Sequence, residues 1–143
     1  MRRAGFGAVA AAGMLLSACT DLDIKPLPSV GSDASDPAIV NPSFAGDIQP
    51  IFMARCAVAG CHITPTEANL GLVLKDAPTS YAHLVSVPSL EFPGVNRVEP
   101  EDSAASYLMF KLDAGEIPKS GPVLSQGTRD TIRYWIDPGA PAN

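Results

Sequence analysis

Apolar side chains fall into short, separate clusters along the chain, and most of these recur at helical spacing. Ile48, Ile51 and Phe52 share one helical face. Pro50 lies inside that run and is compatible only with a first turn, so a short helix is expected to lead into Cys56. Leu70, Leu72 and Leu74 alternate instead, which predicts an extended segment with one buried face. Thr79 or Ser80 is expected to cap a brief helix through Tyr81, Leu84 and Val85. Ser103 is expected to cap the next, with Tyr107, Leu108 and Leu112 facing inward and Gly115 closing it. Ser125 caps the last helix in this reading. Ile132, Trp135 and Ile136 form its apolar stripe, and Pro138-Gly139 stops it.

The fold class expected is therefore all-α, with long loops punctuated by Pro and Gly over 86–101 and 115–124. So much loop in a domain of roughly a hundred residues leaves a thin core. A large apolar group at its centre would make up the deficit.

The chain has 143 residues, enough for one domain, and its 17% charged and 46% hydrophobic content fits a globular protein. Part of that hydrophobicity belongs to the N-terminus. Arg2 and Arg3 precede an apolar run from Ala4 to Leu16 that is too short to span a bilayer, so it reads as an export signal over 1–18. Leu16-Ser17-Ala18-Cys19 has the pattern of a lipobox, in which Cys19 becomes the lipidated first residue; the alternative is an ordinary signal with a cysteine there by chance. Acylation anchors a protein without any transmembrane helix. Thr20 rather than Asp follows Cys19, which by analogy with lipoprotein sorting favours the outer membrane over other faces of the cell envelope. Residues 19–43 are rich in Pro, Ser and Asp and read as a tether, the alternative being an ordered arm packed on the domain. The globular domain is expected over 44–141.

Loss of the signal removes two of the 10 basic side chains, leaving 8 against 15 acidic ones and a formal charge of −7. Such a surface disfavours nucleic acid and anionic lipid and favours a basic protein partner.

The chemistry concentrates in Cys56-Ala57-Val58-Ala59-Gly60-Cys61-His62, a C-x₄-C-H sequence. The common haem-attachment sequence is C-x-x-C-H, in which two thiols add to the vinyl groups and the adjacent histidine reaches the iron. Two extra small residues can loop outward without moving the three anchors. Two other readings compete. Cys56 and Cys61 could form a local disulfide in an exported protein, or zinc could be held by Cys56, Cys61, His62 and His83. A histidine directly after the second cysteine favours haem over disulfide, because the chain has only 2 histidines to place there by chance.

The stretch FAGDIQPIFMARCAVAGCH resembles the opening of a cytochrome c-like domain found in bacterial lipoproteins and surface proteins. LGLVL, YAHLVSVPS, PGVNRVEPEDSAASYLMFKL and GPVLSQGTRDTIRYWIDPGAP follow the same family, so the resemblance covers roughly 44–141. It implies an all-α cytochrome c fold around one covalent haem c, with His62 as axial ligand. It also implies first and last helices that cross, bringing Phe52 to Trp135. The pattern departs at one point: relatives carry Met-Pro before GPxLS as the second axial ligand, and here Ile117 stands in that place. Met109, His83 and Lys119 are the candidates to replace it, the further alternative being no protein ligand. Arg97, in PGVNRVEP, is a candidate partner for a haem propionate.

These readings lead to a membrane-tethered monohaem electron carrier, not an enzyme, that meets redox protein partners. A five-coordinate haem sensor or ligand-binding protein is the first alternative. A non-haem interaction module stapled by a disulfide is the second.

Overall fold

The computed structural model of the protein describes residues 36–119 and 121–143. The signal, Cys19 and the tether through residue 35 lie outside the described residues. Among the described residues the regular structure is helical, with only two isolated bridges, Val85 with Val98 and Pro88 with Asn96. The fold is all-α.

A π-helical turn, Phe44–Ile48, opens the domain and runs directly into α1 (Gln49–Arg55). Ser43 secures the turn reciprocally: its Oγ accepts from the Gly46 N–H at 3.2 Å, and its own N–H donates to Asp47 Oδ2 at 2.9 Å. Pro50 falls in the first turn of α1, as its missing N–H requires. The next helix, α2 (Ala77–Leu84), starts earlier than Thr79 or Ser80 would allow. Asp76 is its cap, accepting from the Thr79 N–H at 2.9 Å, and Pro78 fits the first turn. The Thr79 side chain and N–H donate to that carboxylate and lower its pKa.

The third helix, α3 (Tyr107–Asp113), also begins off the expected cap. The Ser103 N–H donates to Asp137 Oδ1 at 3.0 Å, so Ser103 belongs to a turn tied to the end of the last helix. Leu112 is buried and Leu108 packs on the core as expected, Met109 joins them, and the half-buried Tyr107 instead stacks between Phe92 and Phe110 at 5.9 and 6.0 Å. Gly115 closes the helix in a left-handed conformation that an L residue adopts with strain. The last helix, α4 (Gln126–Ile136), follows expectation closely: Ser125 Oγ accepts from Thr128 N–H at 3.1 Å, and Ile132, Trp135 and Ile136 are wholly buried.

Phe44 is the hinge of the core. Its ring lies 4.9 Å from Trp135, 6.4 Å from Phe52 and 5.3 Å from Tyr81, so Phe44 rather than Phe52 is the ring laid against Trp135. The C-terminal tail then closes over this cluster. Trp135 Nε1 donates to Pro141 O at 3.0 Å, Tyr81 Oη to Ala140 O at 2.9 Å, and the Phe44 N–H to Asn143 Oδ1 at 2.8 Å.

Contacts with α4 begin before Phe44, the boundary read from composition. The Ile39 N–H donates to Thr131 Oγ1 at 2.9 Å, and the Asp36 backbone lies so close to Gly127 that no side chain fits there. Residues 36–39 thus run along a track made by a glycine and a threonine one helical turn apart. The long excursions are also tied down. Arg97 N–H donates to Val87 O and Ser89 N–H to Val95 O, closing the 86–97 loop on itself. The buried Lys111 ammonium is held between Glu91 at 2.5 Å and Glu116 at 3.2 Å, one from each long loop.

Candidate functional site

Cys56 ends α1, its N–H donating to Phe52 O at 2.8 Å. From there the chain bulges outward and returns: the His62 N–H donates to Cys56 O at 3.1 Å and the Cys61 N–H to Val58 O at 3.0 Å. Ala59 and Gly60 are the exposed tip of the bulge, and Gly60 has a φ of 82°, where the absence of Cβ matters. The two additional residues of the motif therefore sit in solvent while Cys56 and His62 stay joined through their backbones.

Cys56 and Cys61 are both free thiols. Burial pushes the Cys56 thiol up to about 12, against the pull of the neighbouring Arg55 guanidinium; the Cys61 thiol adds slightly to the rise. Met53, Ile63 and Leu70 leave 43%, 40% and 42% of their surfaces open to solvent. Two of these flank the motif in sequence, and the third sits at the edge of a shallow depression of about 540 Å³ lined by Pro65, Thr66, Glu67, Leu70 and Gly71.

The two histidines have opposite protonation patterns, and the backbone dictates both. His62 Nδ1 lies 3.1 Å from Leu72 O, an atom that can only accept, so Nδ1 carries the proton. The neutral ring then presents a free lone pair at Nε2. A ligating imidazole is oriented in this way by its second nitrogen. His83 Nδ1 lies 3.2 Å from the Val73 N–H, which can only donate, so the proton of that neutral ring is on Nε2. Neither nitrogen of His83 has a lone pair to offer a metal while that bond stands. Its role here is to brace the chain.

What it braces is the stretch 72–74, and only this part of the Leu70–Leu74 segment expected to be extended lies outside a turn. Leu70 is exposed in a turn at φ 50°, and Val73 and Leu74 are both buried. The Leu74 N–H donates to His62 O at 2.8 Å, and Gln49 Nε2 donates to Leu74 O at 3.0 Å. Gln49 and Asn69, both bonded around the motif, escaped the sequence reading. For Asn69 the available signal was Thr66-x-x-Asn69-x-Gly71, a composition that makes tight side-chain turns.

Arg97 donates to His83 O at 2.9 Å and to Leu70 O at 3.4 Å. Burial lowers its pKa, and no carboxylate among the described residues pairs with it. Its charge is thus held against the loop that follows the motif, with no anion beside it among the described residues. The Arg55 guanidinium, one residue before Cys56, donates to Pro122 O, five residues beyond Ile117. Ile117 packs on the core, Met109 is 2% exposed within it, and Lys119 is exposed. Among the described residues no three His, Cys, Asp or Glu side chains gather into a metal-holding group, so the four zinc ligands of the competing reading do not converge.

No helix of the described residues is long and apolar enough to cross a membrane. Set against models of known protein families, curated proteins and solved structures, the chain matches none of them.

Proposed function

We propose that the protein is a monohaem c-type cytochrome with a cytochrome c fold, held at a membrane by lipid on Cys19, which passes single electrons between protein partners. The observation that carries this reading is the His62 ring, whose Nδ1–H donates to the Leu72 carbonyl and leaves Nε2 free, directly after a cysteine pair of unpaired thiols. These residues fit the group. Cys56 and Cys61 would form thioethers, His62 would give the axial nitrogen, and the anion-free Arg97 would meet a propionate. Haem bound there supplies an iron centre that changes charge by one electron. The chain supplies orientation at His62, and Met53, Ile63 and Leu70 would supply exposed apolar surface to the haem.

A second reading, an iron with an open sixth position that binds small ligands, is favoured by two observations: Ile117 has no donor atom and His83 is committed to Val73. The stapled-module reading has less support, because Cys56 and Cys61 are not joined. The experiment is to mature the protein in a host with haem-attachment machinery and denature it in acid acetone. Haem should stay with the chain, and Cys56→Ala combined with Cys61→Ala should abolish holo-protein. Stoichiometric haem with unaltered spectra in that double variant would sink the attachment claim. Carbon monoxide binding by the reduced protein separates the open-site reading from a simple carrier.

A further inference from the structure

The loop after His62 is held by turns of its own, the Gly71 N–H donating to Thr66 O at 3.1 Å and the Leu70 N–H to Glu67 O at 3.2 Å. Residues 63–68 are exposed, no helix or strand spans them, and Leu70 and Gly71 both sit at positive φ. Yet this loop must return the chain so that the Leu72 carbonyl reaches His62 Nδ1. One side chain joins these turns to Cys61. Asn69 Nδ2 donates to Cys61 O at 2.7 Å and to Thr64 O at 2.8 Å, while Asn69 Oδ1 accepts from the Thr66 N–H at 2.9 Å and the Gly71 N–H at 3.1 Å.

A carboxamide has two donor hydrogens and two acceptor lone pairs, and here all four are used. The arrangement also leaves no doubt about which way the group faces, since its partners on one side are carbonyls and on the other N–H groups. The main chain of Asn69 adds two further ties: its N–H donates to Thr66 Oγ1 at 3.2 Å, and its carbonyl accepts from the Leu72 N–H at 2.9 Å. Asn69 therefore grips the residue before His62 with its side chain and the residue that orients the His62 ring with its backbone.

We infer that Asn69 is the positioning residue for His62: its carboxamide sets the loop so that the Leu72 carbonyl fixes the imidazole with Nε2 free. The inference rests on the proposed role of His62 as an iron ligand, and it adds a residue that acts through His62 without touching the iron. Asparagine is the side chain suited to the place. Aspartate keeps both acceptor bonds but turns a carboxylate oxygen toward the Cys61 and Thr64 carbonyls, where repulsion replaces two hydrogen bonds. Glutamine adds a methylene that the four-way fit has no slack to take.

The test compares wild type with Asn69→Asp, Asn69→Ala and Thr66→Ala, each as the full chain. Imidazole nitrogen NMR on cofactor-free protein, at a pH where both rings are neutral, reads the two tautomers separately. Wild type should show Nδ1–H for His62 and Nε2–H for His83. In Asn69→Asp and Asn69→Ala, His62 should relax to the mixture of a free imidazole, with His83 unchanged. Thr66→Ala, which removes only the bond to the Asn69 main chain, should keep the wild-type pattern. Haem-loaded Asn69→Asp should in addition show a weakened iron–histidine stretch by resonance Raman. An unchanged His62 tautomer in Asn69→Asp overturns the inference, and so does loss of both tautomers together, which would mark a general disruption of the loop. Absence of covalent haem in wild type is a different failure: it refutes the proposed function and leaves the tautomer result readable.

Discussion

Gly127 stands at the second position of α4, where the N-terminal arm crosses it. Replacing it with alanine puts a methyl group inside the Asp36 carbonyl oxygen, 2.8 Å from the Asp36 carbonyl carbon and 3.1 Å from that of Pro37. These are backbone atoms, so no rotamer change relieves the overlap and the arm must lift. Two effects on stability oppose one another. Alanine favours the helix over glycine by about 0.5–1 kcal/mol. Lifting the arm breaks the Ile39–Thr131 hydrogen bond, worth about 0.5–1.5 kcal/mol. Release also returns Asp36 Oδ2 to water, which is buried without a partner among the described residues. The sum lies within about 1 kcal/mol of zero, so Tm should move by no more than about 4–8 °C. The large effect is local. Hydrogen exchange at the Ile39 amide should rise to the rate of an unstructured peptide in Gly127→Ala, while amides of the α4 core stay protected. Retained protection at Ile39 would show that the arm accommodates the methyl group and that the track is not built on glycine. A loss above about 3 kcal/mol would show that the arm is part of the core, contrary to the balance drawn here.

Cys56 carries a pH dependence of its own. A thiol held at about 12 instead of 9.0 has roughly a thousandth of the thiolate near neutral pH, and the thiolate is the nucleophile. Iodoacetamide should therefore modify Cys56 of folded, cofactor-free protein roughly a thousandfold more slowly than in urea, with a rate that climbs as pH rises toward 12; equal rates in both states would contradict the burial argument. Ile117→Met conserves volume and should cost under about 1.5 kcal/mol. It should give the haem-loaded protein a weak far-red sulfur-ligation band, raise its potential and suppress carbon monoxide binding. A wild type that already has the band and refuses carbon monoxide would mean that another methionine is the ligand. Cys19→Ser should abolish acyl labelling and release the protein from membranes, and unchanged labelling would remove the lipid anchor from the proposal.

What could be read from the sequence was what is decided locally. Ser125 and the Ile132, Trp135, Ile136 stripe lie within one helix and need no distant partner, so α4 came out as expected. Pro50 likewise carries its own constraint. Ser103 looked like a cap because Ser often is one, but α3 begins only at Tyr107 and Ser103 lies in the turn before it, tied to Asp137, 34 residues away; Leu108 and Leu112 face inward as expected, and only Tyr107 does not. At the site, the cysteine spacing and the adjacent histidine were legible. The difference between His62 and His83 was not, because it lies in one carbonyl and one N–H of a segment that tertiary contacts deliver. Phe44 was passed over for a similar reason: it precedes the periodic run, and only the π-helical turn swings it between Phe52 and Trp135.

If the protein is exported and receives haem as proposed, the closure of the C-terminal tail bears on the order in which it matures. Asn143 meets the Phe44 N–H across 99 residues of chain, and Pro141 and Ala140 satisfy Trp135 and Tyr81. A polypeptide threaded outward from its N-terminus delivers Cys56, Cys61 and His62 roughly eighty residues before Asn143 arrives. During that interval the ends that clasp the core have not met, and contacts of such separation form slowly even afterwards. In an exported chain the attachment motif would thus emerge into the envelope while the domain is still open, with Cys56 accessible rather than sequestered. Maturation machinery would have a working window whose length is set by the pace of translocation, and docking of the tail would end it.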